Sequence, residues 1–242
     1  MRPLRASAIR YAVMAKTQLT SVMRRISIVF ELDNAIECIR AALERIAQGR
    51  YVLRADPPVL FLLANGLERY LKVSVHLLYY PNGFQPGLKS LGHSPLKAEA
   101  EIFRSESPNA RVTLRGKEDL EFAQTDPLLR ALLECIDAFA VTERYFLLDG
   151  AGGELVDVER DPRELWETVL SYASDRKPEL YTDADRARAV VAPRLIGRIQ
   201  RYLRCIAQAV HDSTTGDANA FGVAMNVHLT LRDDQLEVLA RR

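Results

Sequence analysis

Asn65, Glu68, Arg69, Lys72 and His76 lie close together inside an otherwise apolar stretch of the chain. Wound into an α-helix, all five fall within an arc of about 100°. Leu60, Leu63, Leu67, Leu71, Ser74 and Leu78 fall on the opposite side, so the segment predicts a helix with a core face and a narrow charged stripe. A carboxylate, an amide, two bases and an imidazole on one stripe are groups that can grip an anion and move a proton. Two readings are open. In one, the stripe is a solvated face whose Glu68 and Lys72 form an i,i+4 pair worth roughly a few tenths of a kcal/mol. In the other, neighbours pack over apolar flanks such as Phe61 and Tyr79, and the stripe lines a cleft.

Near the C-terminus Arg204 and, after six intervening residues, His211 stand in one apolar-periodic stretch. On a helix they are about 20° apart around the axis and roughly 10.5 Å apart along it, a spacing suited to holding a phosphodiester from two sides. An imidazole with an ordinary pKa of about 6.5 can take or deliver a proton at neutral pH. An arginine can stabilise the charge that develops on a phosphorane-like transition state, and RNA carries its own 2′-hydroxyl nucleophile. Arg194, Arg198 and Arg201 share the sector, and no acid occurs from 186 to 211. That unbalanced row suggests a polyanion, or acidic side chains on a partner. The alternative is that His211 caps a helix C-terminus through the dipole and Arg204 is solvated.

The elements that must position these groups read as helices. Ile28, Leu32, Ala35, Ile36, Ile39, Leu43 and Ile46 recur at steps of three and four across 21–49, and Gly49 closes that helix. Asp56-Pro57-Pro58 starts a second helix that Pro81-Asn82-Gly83 ends near Tyr80. The brief connection predicts that the two lie antiparallel. Further helices are expected from Ser94 to about Phe103, from Pro127 to about Val141, from Pro162 to about Ser174, and from Asp183 to Val210 with a kink at Pro193. Between the helices ending near Phe103 and beginning at Pro127 lies a polar stretch with Pro108 and Gly116. Arg144–Asp149 and Glu154–Val158 around Gly150-Ala-Gly-Gly153 read as a β-hairpin. The glycine run is not a phosphate loop, because no Lys, Ser or Thr accompanies it and a strand follows. The fold class expected is therefore mainly α, a helical bundle with a small hairpin inserted near 144–158. Residues 1–20 read as a ragged N-terminal extension, 21–212 as a single domain, and 213–242 as a C-terminal tail.

Composition bounds the function. With 242 residues, 48% of them hydrophobic and 27% charged, the chain is neither disordered nor fibrous. Its net charge of +1 makes any basic surface local. Arginine supplies 27 of the 33 cations, a lean toward phosphate and carboxylate partners. Cys38, Cys135 and Cys205 are scattered among Ile, Leu and Ala and read as small buried apolar residues, with no disulfide, metal or cofactor site. No apolar run reaches the roughly 18–20 residues of a membrane span. A cytoplasmic protein with no membrane partner is expected.

The run Leu63-Ala-Asn-Gly-Leu-Glu-Arg-Tyr-Leu-Lys72, a loop, and Gly92-His-Ser-Pro-Leu96 resembles the HEPN superfamily, small all-α bundles of bacterial toxin and phage-defence systems. The matched stretch covers about 40 residues. The resemblance implies a HEPN-like bundle and a metal-independent endoribonuclease whose site is an Arg and a His a few residues apart, so that Arg204 and His211 are the catalytic pair, brought into one cleft by a homodimer, and Arg69 and His76, at the same spacing, rank second. Asn65, Glu68, Arg69, Lys72, His76, His93 and Arg201 would line the cleft, RNA would be the substrate, and a cognate antitoxin protein would be a partner. A reading of a different class keeps the bundle and the polar cleft but makes it catalytically silent, binding a nucleotide or a protein partner.

Overall fold

A computed structural model describes residues 4–48, 54–79, 88–104, 114–142, 161–175, 184–212 and 221–225, with backbone alone over 4–21 and at 114–116, 142, 184 and 186–188. The described residues are helical, with no strand among them. The hairpin expected near 144–158 lies outside them.

Helix α1 is Leu4–Gln48 and α2 is Pro57–Tyr79. The first helix therefore begins at Leu4 rather than near residue 21, so its backbone carries straight through the segment read as an extension. Arg45 pairs with Asp56 at 3.4 Å and Arg69 with Glu31 at 2.6 Å. The residue numbers rise along α2 as they fall along α1, which is the antiparallel arrangement expected. Gly66 makes the close crossing possible. A Cβ there would stand 2.6 Å from Ile39 Cγ1 and 3.0 Å from the Ala35 carbonyl oxygen, tighter than packed atoms tolerate.

A 3₁₀ turn at Leu88–Leu91 leads to α3, Pro95–Arg104. Ser94 caps it by accepting from the Lys97 amide at 3.1 Å, as its position before Pro95 predicts. Asp137 holds the same end, accepting from the Ser94 hydroxyl at 2.5 Å and from the Leu96 amide at 3.2 Å. Asp137 belongs to α5, Pro127–Thr142. That helix is buried nearly all round, from Leu128 and Leu129 to Phe139 and Ala140, as a central element must be.

The polar stretch expected before Pro127 is instead helical at its end, α4 at Leu114–Thr125. Its apolar pattern is weak because it rests on the bundle mainly through Phe122 and Ala123. Asp126 separates it from α5 and caps the latter by accepting from the Leu129 amide at 2.8 Å. Helix α6, Pro162–Ala173, starts at an Asp161 N-cap and buries Trp166, Val169 and Leu170. Helix α7, Ala184–His211, runs through Pro193 and sends Leu195, Ile199, Tyr202, Leu203 and Ile206 into the core. A short helical segment, 221–225, follows. No helix among the described residues is long and apolar enough to cross a membrane.

Candidate functional site

The α2 stripe lines a cavity of about 640 Å³. Asn65, Glu68, Arg69, Lys72, Val73 and His76 form one wall, Met23, Arg24, Ser27, Ile28 and Glu31 of α1 the other, and Leu88 and His93 close one side. The cleft reading of the stripe is thus the one the geometry favours over full solvation. Its opposing wall is α1, however, and not the helix that carries Arg204. The reason lies on the back of α2. Tyr70 sits about 150° around the helix from the stripe, is fully buried, and donates its hydroxyl to the Leu203 carbonyl of α7 at 3.1 Å. With α7 seated behind α2, the stripe turns toward α1.

The charges inside are paired. Lys72 donates to Glu68 at 2.8 Å and to the Gly92 carbonyl at 2.6 Å. His93 Nδ1 lies 3.0 and 3.2 Å from the two Glu68 oxygens. Glu68 is about nine-tenths buried, so its carboxylate needs both partners, since an unpaired buried ion costs several kcal/mol. The helix motif and the Gly92-His93 turn, some 20 residues apart in sequence, are joined by these contacts. Arg69 is held to α1 by Glu31, and Asn65 donates to the Phe61 carbonyl at 2.9 Å. Three permanent cations, Arg24, Arg69 and Lys72, stand against two carboxylates, Glu31 and Glu68.

His76 is half-buried in the cavity wall. Burial, and next the nearby Arg24 guanidinium, pull its pKa below the ordinary 6.5. Both effects disfavour the imidazolium, so His76 is neutral at pH 7 and can accept a proton.

Arg204 and His211 do not reach this cavity. Arg204 is exposed. His211 ends α7, half-buried, with Gly222 so close that a Cβ there would stand 2.6 Å from the His211 backbone nitrogen and Cα. The expected tail is therefore partly folded back onto the helix end. Cys205, next to Arg204, is buried, and burial pushes its thiol up to about 12, which leaves it inert, as its apolar surroundings predict.

The basic row on α7 has its acids elsewhere in the chain. Arg194 pairs with Asp175 at 2.7 Å, Arg198 with Asp126 at 3.7 Å and Arg201 with Asp119 at 3.0 Å. Arg201 also covers the Phe122 ring at 4.1 Å. The row fastens α7 to α4 and to the ends flanking α5 and α6, so Arg201 is a packing residue and not a cleft residue. The sequence reading missed Arg24, Ser27 and Glu31 as site residues. Nothing in their spacing marks them, because they enter the site only through the crossing at Gly66.

Comparison with protein-family models, with curated proteins and with solved structures finds no match to this chain.

Proposed function

We infer that the α1–α2 cavity binds a phosphate-bearing ligand of nucleotide size. The observation that carries this is the convergence of Arg24, Arg69, Lys72, His76 and His93 on one cavity whose remaining lining, Met23, Ile28, Val73 and Leu88, is apolar. Ligand sites commonly join a few oriented polar groups to an apolar wall. The cations outnumber the carboxylates, and Glu31 and Glu68 hold two of them in place, so a phosphate meets donors already oriented. Isothermal titration with adenosine monophosphate and with a short single-stranded RNA tests it. Arg69→Ala and Lys72→Ala should each weaken binding tenfold or more, while Arg204→Ala leaves it unchanged. Equal binding by all three variants overturns the reading.

A second reading makes the same cavity an RNA-cleaving site of HEPN type, and one observation favours it: Arg69 and a neutral His76 share the cavity. His76 would take the 2′-hydroxyl proton while Arg69 and Lys72 bear the charge on the phosphorus oxygens. The hydrogen bond of His93 Nδ1 with Glu68 leaves its other ring nitrogen for the departing 5′-oxygen. The union of Leu63–Lys72 with Gly92–Leu96 through Glu68, Lys72 and His93 supports treating that motif as one unit. Roles for Arg204 and His211 would then require a different surface. This reading brings with it the toxin or defence setting, an antitoxin partner and a cytoplasmic site of action. It expects cleavage of RNA and not DNA, persisting in chelator, with 2′,3′-cyclic phosphate ends. His76→Ala should slow it by about 10²–10⁴-fold. Cleavage unaffected by His76→Ala removes it.

A further inference from the structure

The His93 side chain is 57% exposed, and yet it is held from three directions. Its Nδ1 faces the Glu68 carboxylate at 3.0 Å. Gly92, the residue before it, turns the chain in the left-handed region at φ +58° and is tied to α2, because its carbonyl accepts from Lys72 at 2.6 Å. Ser94, the residue after it, is tied to α5. Its hydroxyl donates to Asp137 Oδ1 at 2.5 Å, and the Leu96 amide donates to the same oxygen at 3.2 Å. With Gly92 and Ser94 both fastened, the His93 backbone cannot swing away from Glu68. A carboxylate accepts and does not donate, so the neutral ring must carry its hydrogen on Nδ1 and leave the lone pair on Nε2.

Capping of α3 does not account for Asp137. Ser94 caps that helix by itself, accepting from the Lys97 amide, as an N-cap residue does. Asp137 is 4% exposed, and a carboxylate is costly to keep ionised at such depth. Glu99 of α3 adds to the cost. Its own pKa is raised, by burial above all and in lesser part by the Asp137 charge, against the hydrogen bonds it accepts from Arg130. What the carboxylate adds is a charge-assisted grip on the turn. We propose that Asp137 is a positioning residue of the α1–α2 cavity: through Ser94 it fixes the turn that sets His93 against Glu68 and offers Nε2 to the ligand. Its effect on binding rests on the phosphate-ligand reading of that cavity, whereas the state of the His93 ring does not. Preorganised groups of this kind need a supporting contact behind them.

The test reads the ring first and the ligand second. Nitrogen-15 correlation spectra of the histidine rings at about pH 8.5, where imidazoles of ordinary pKa are neutral, should show His93 of the wild type in the Nδ1–H tautomer. Its signal is assigned with His93→Gln. Asp137→Ala should shift the ring toward the Nε2–H form that a solvated histidine favours. Asp137→Asn should keep the wild-type form, because its amide oxygen still accepts from Ser94 and Leu96. Should Asp137→Ala fail to fold, Ser94→Ala decides, with the same shift expected. In titrations with adenosine monophosphate, Asp137→Ala should weaken binding about tenfold, and should add no loss in a His93→Gln background. An Nε2–H ring in the wild type, a folded Asp137→Ala or Ser94→Ala protein with an unchanged His93 tautomer, or an equal loss of affinity with and without His93 each overturns the proposal. An Nδ1–H ring that Asp137→Ala abolishes, in a protein that binds no adenosine monophosphate, upholds the positioning of His93 and overturns the ligand reading instead.

Discussion

Gly66 of α2 rests on Ile39 of α1 so closely that a single added carbon would come within 2.6 Å of Ile39 Cγ1. This contact sets the separation of the two helices, and with it the width of the cavity between them, where Arg69, less than one turn along α2 from Gly66, meets Glu31 and His76, nearly three turns along, lies near Arg24. A glycine in mid-helix costs about 1 kcal/mol relative to alanine, and at this position the close crossing offsets that cost.

Gly66→Ala should therefore destabilise the protein despite the better helix propensity. Ile39 Cγ1 can rotate away, but the Ala35 carbonyl oxygen at 3.0 Å and the Ile39 nitrogen at 3.1 Å are backbone. Forcing the helices apart should cost about 1–3 kcal/mol, read as a lower urea midpoint. An unchanged or higher midpoint would show that the helices separate freely.

His76 makes stability depend on pH. Its pKa is lowered in the folded chain by burial and by Arg24, so the unfolded chain binds the proton more readily. The contribution is fully present above the unfolded value of about 6.5 and is lost as pH falls through the lower folded value. His76→Gln should flatten the difference in chemical stability between pH 7.5 and 5.5. Parallel pH curves for the two proteins would contradict the direction assigned.

Asp161 caps α6, accepting from the Arg163 amide at 2.9 Å and from its guanidinium at 2.7 Å. Hydrogen bonding to Arg163 holds its carboxyl below the ordinary 3.8, against the opposing effect of burial. Asp161→Ala should cost about 1 kcal/mol and Asp161→Asn less, since the amide oxygen still caps. Thermal melts rank the three proteins, and the reverse order for Ala and Asn would show that the cap does not act.

Arg201 and Arg204 should separate cleanly. Arg201 carries the Asp119 bond and the Phe122 contact, so Arg201→Ala should cost about 1 kcal/mol, discounted for its partial exposure. Arg204→Ala should lie within about 0.5 kcal/mol of wild type. Comparable losses from both would mean that Arg204 also fastens the helix.

Gly222→Ala should loosen the 221–225 segment from the end of α7, because the clash is with His211 backbone, which cannot rotate aside. Met225 is fully buried there, so its oxidation by dilute peroxide, followed by mass spectrometry, should become faster. An unchanged rate would mean that the segment stays seated.

The sequence by itself determined the helices and the stripe. Apolar residues at steps of three and four specify which face of a helix is buried, and this is a property of neighbours along the chain. Helices α2, α3, α5, α6 and α7 accordingly begin and end within about two residues of their sequence signals, at Pro57, Pro95, Pro127, Pro162 and Ala184. That Asn65, Glu68, Arg69, Lys72 and His76 share one face needed nothing beyond the helical period. Where the period was faint, as in α4 and in the N-terminal half of α1, the reading stopped short.

Only the tertiary structure decided which charge meets which. The α7 arginines read as an unbalanced row because their acids, Asp119, Asp126 and Asp175, come from three other places in the chain. Arg204 and His211 share a face of one helix and line no part of the α1–α2 cavity. Arg69 and His76 have the same spacing and do enter a cavity, because Tyr70 anchors α7 behind α2 and Gly66 admits α1 in front. Local spacing orders side chains around one axis. Which surface lies opposite depends on burial summed over distant segments, a quantity no window of sequence contains.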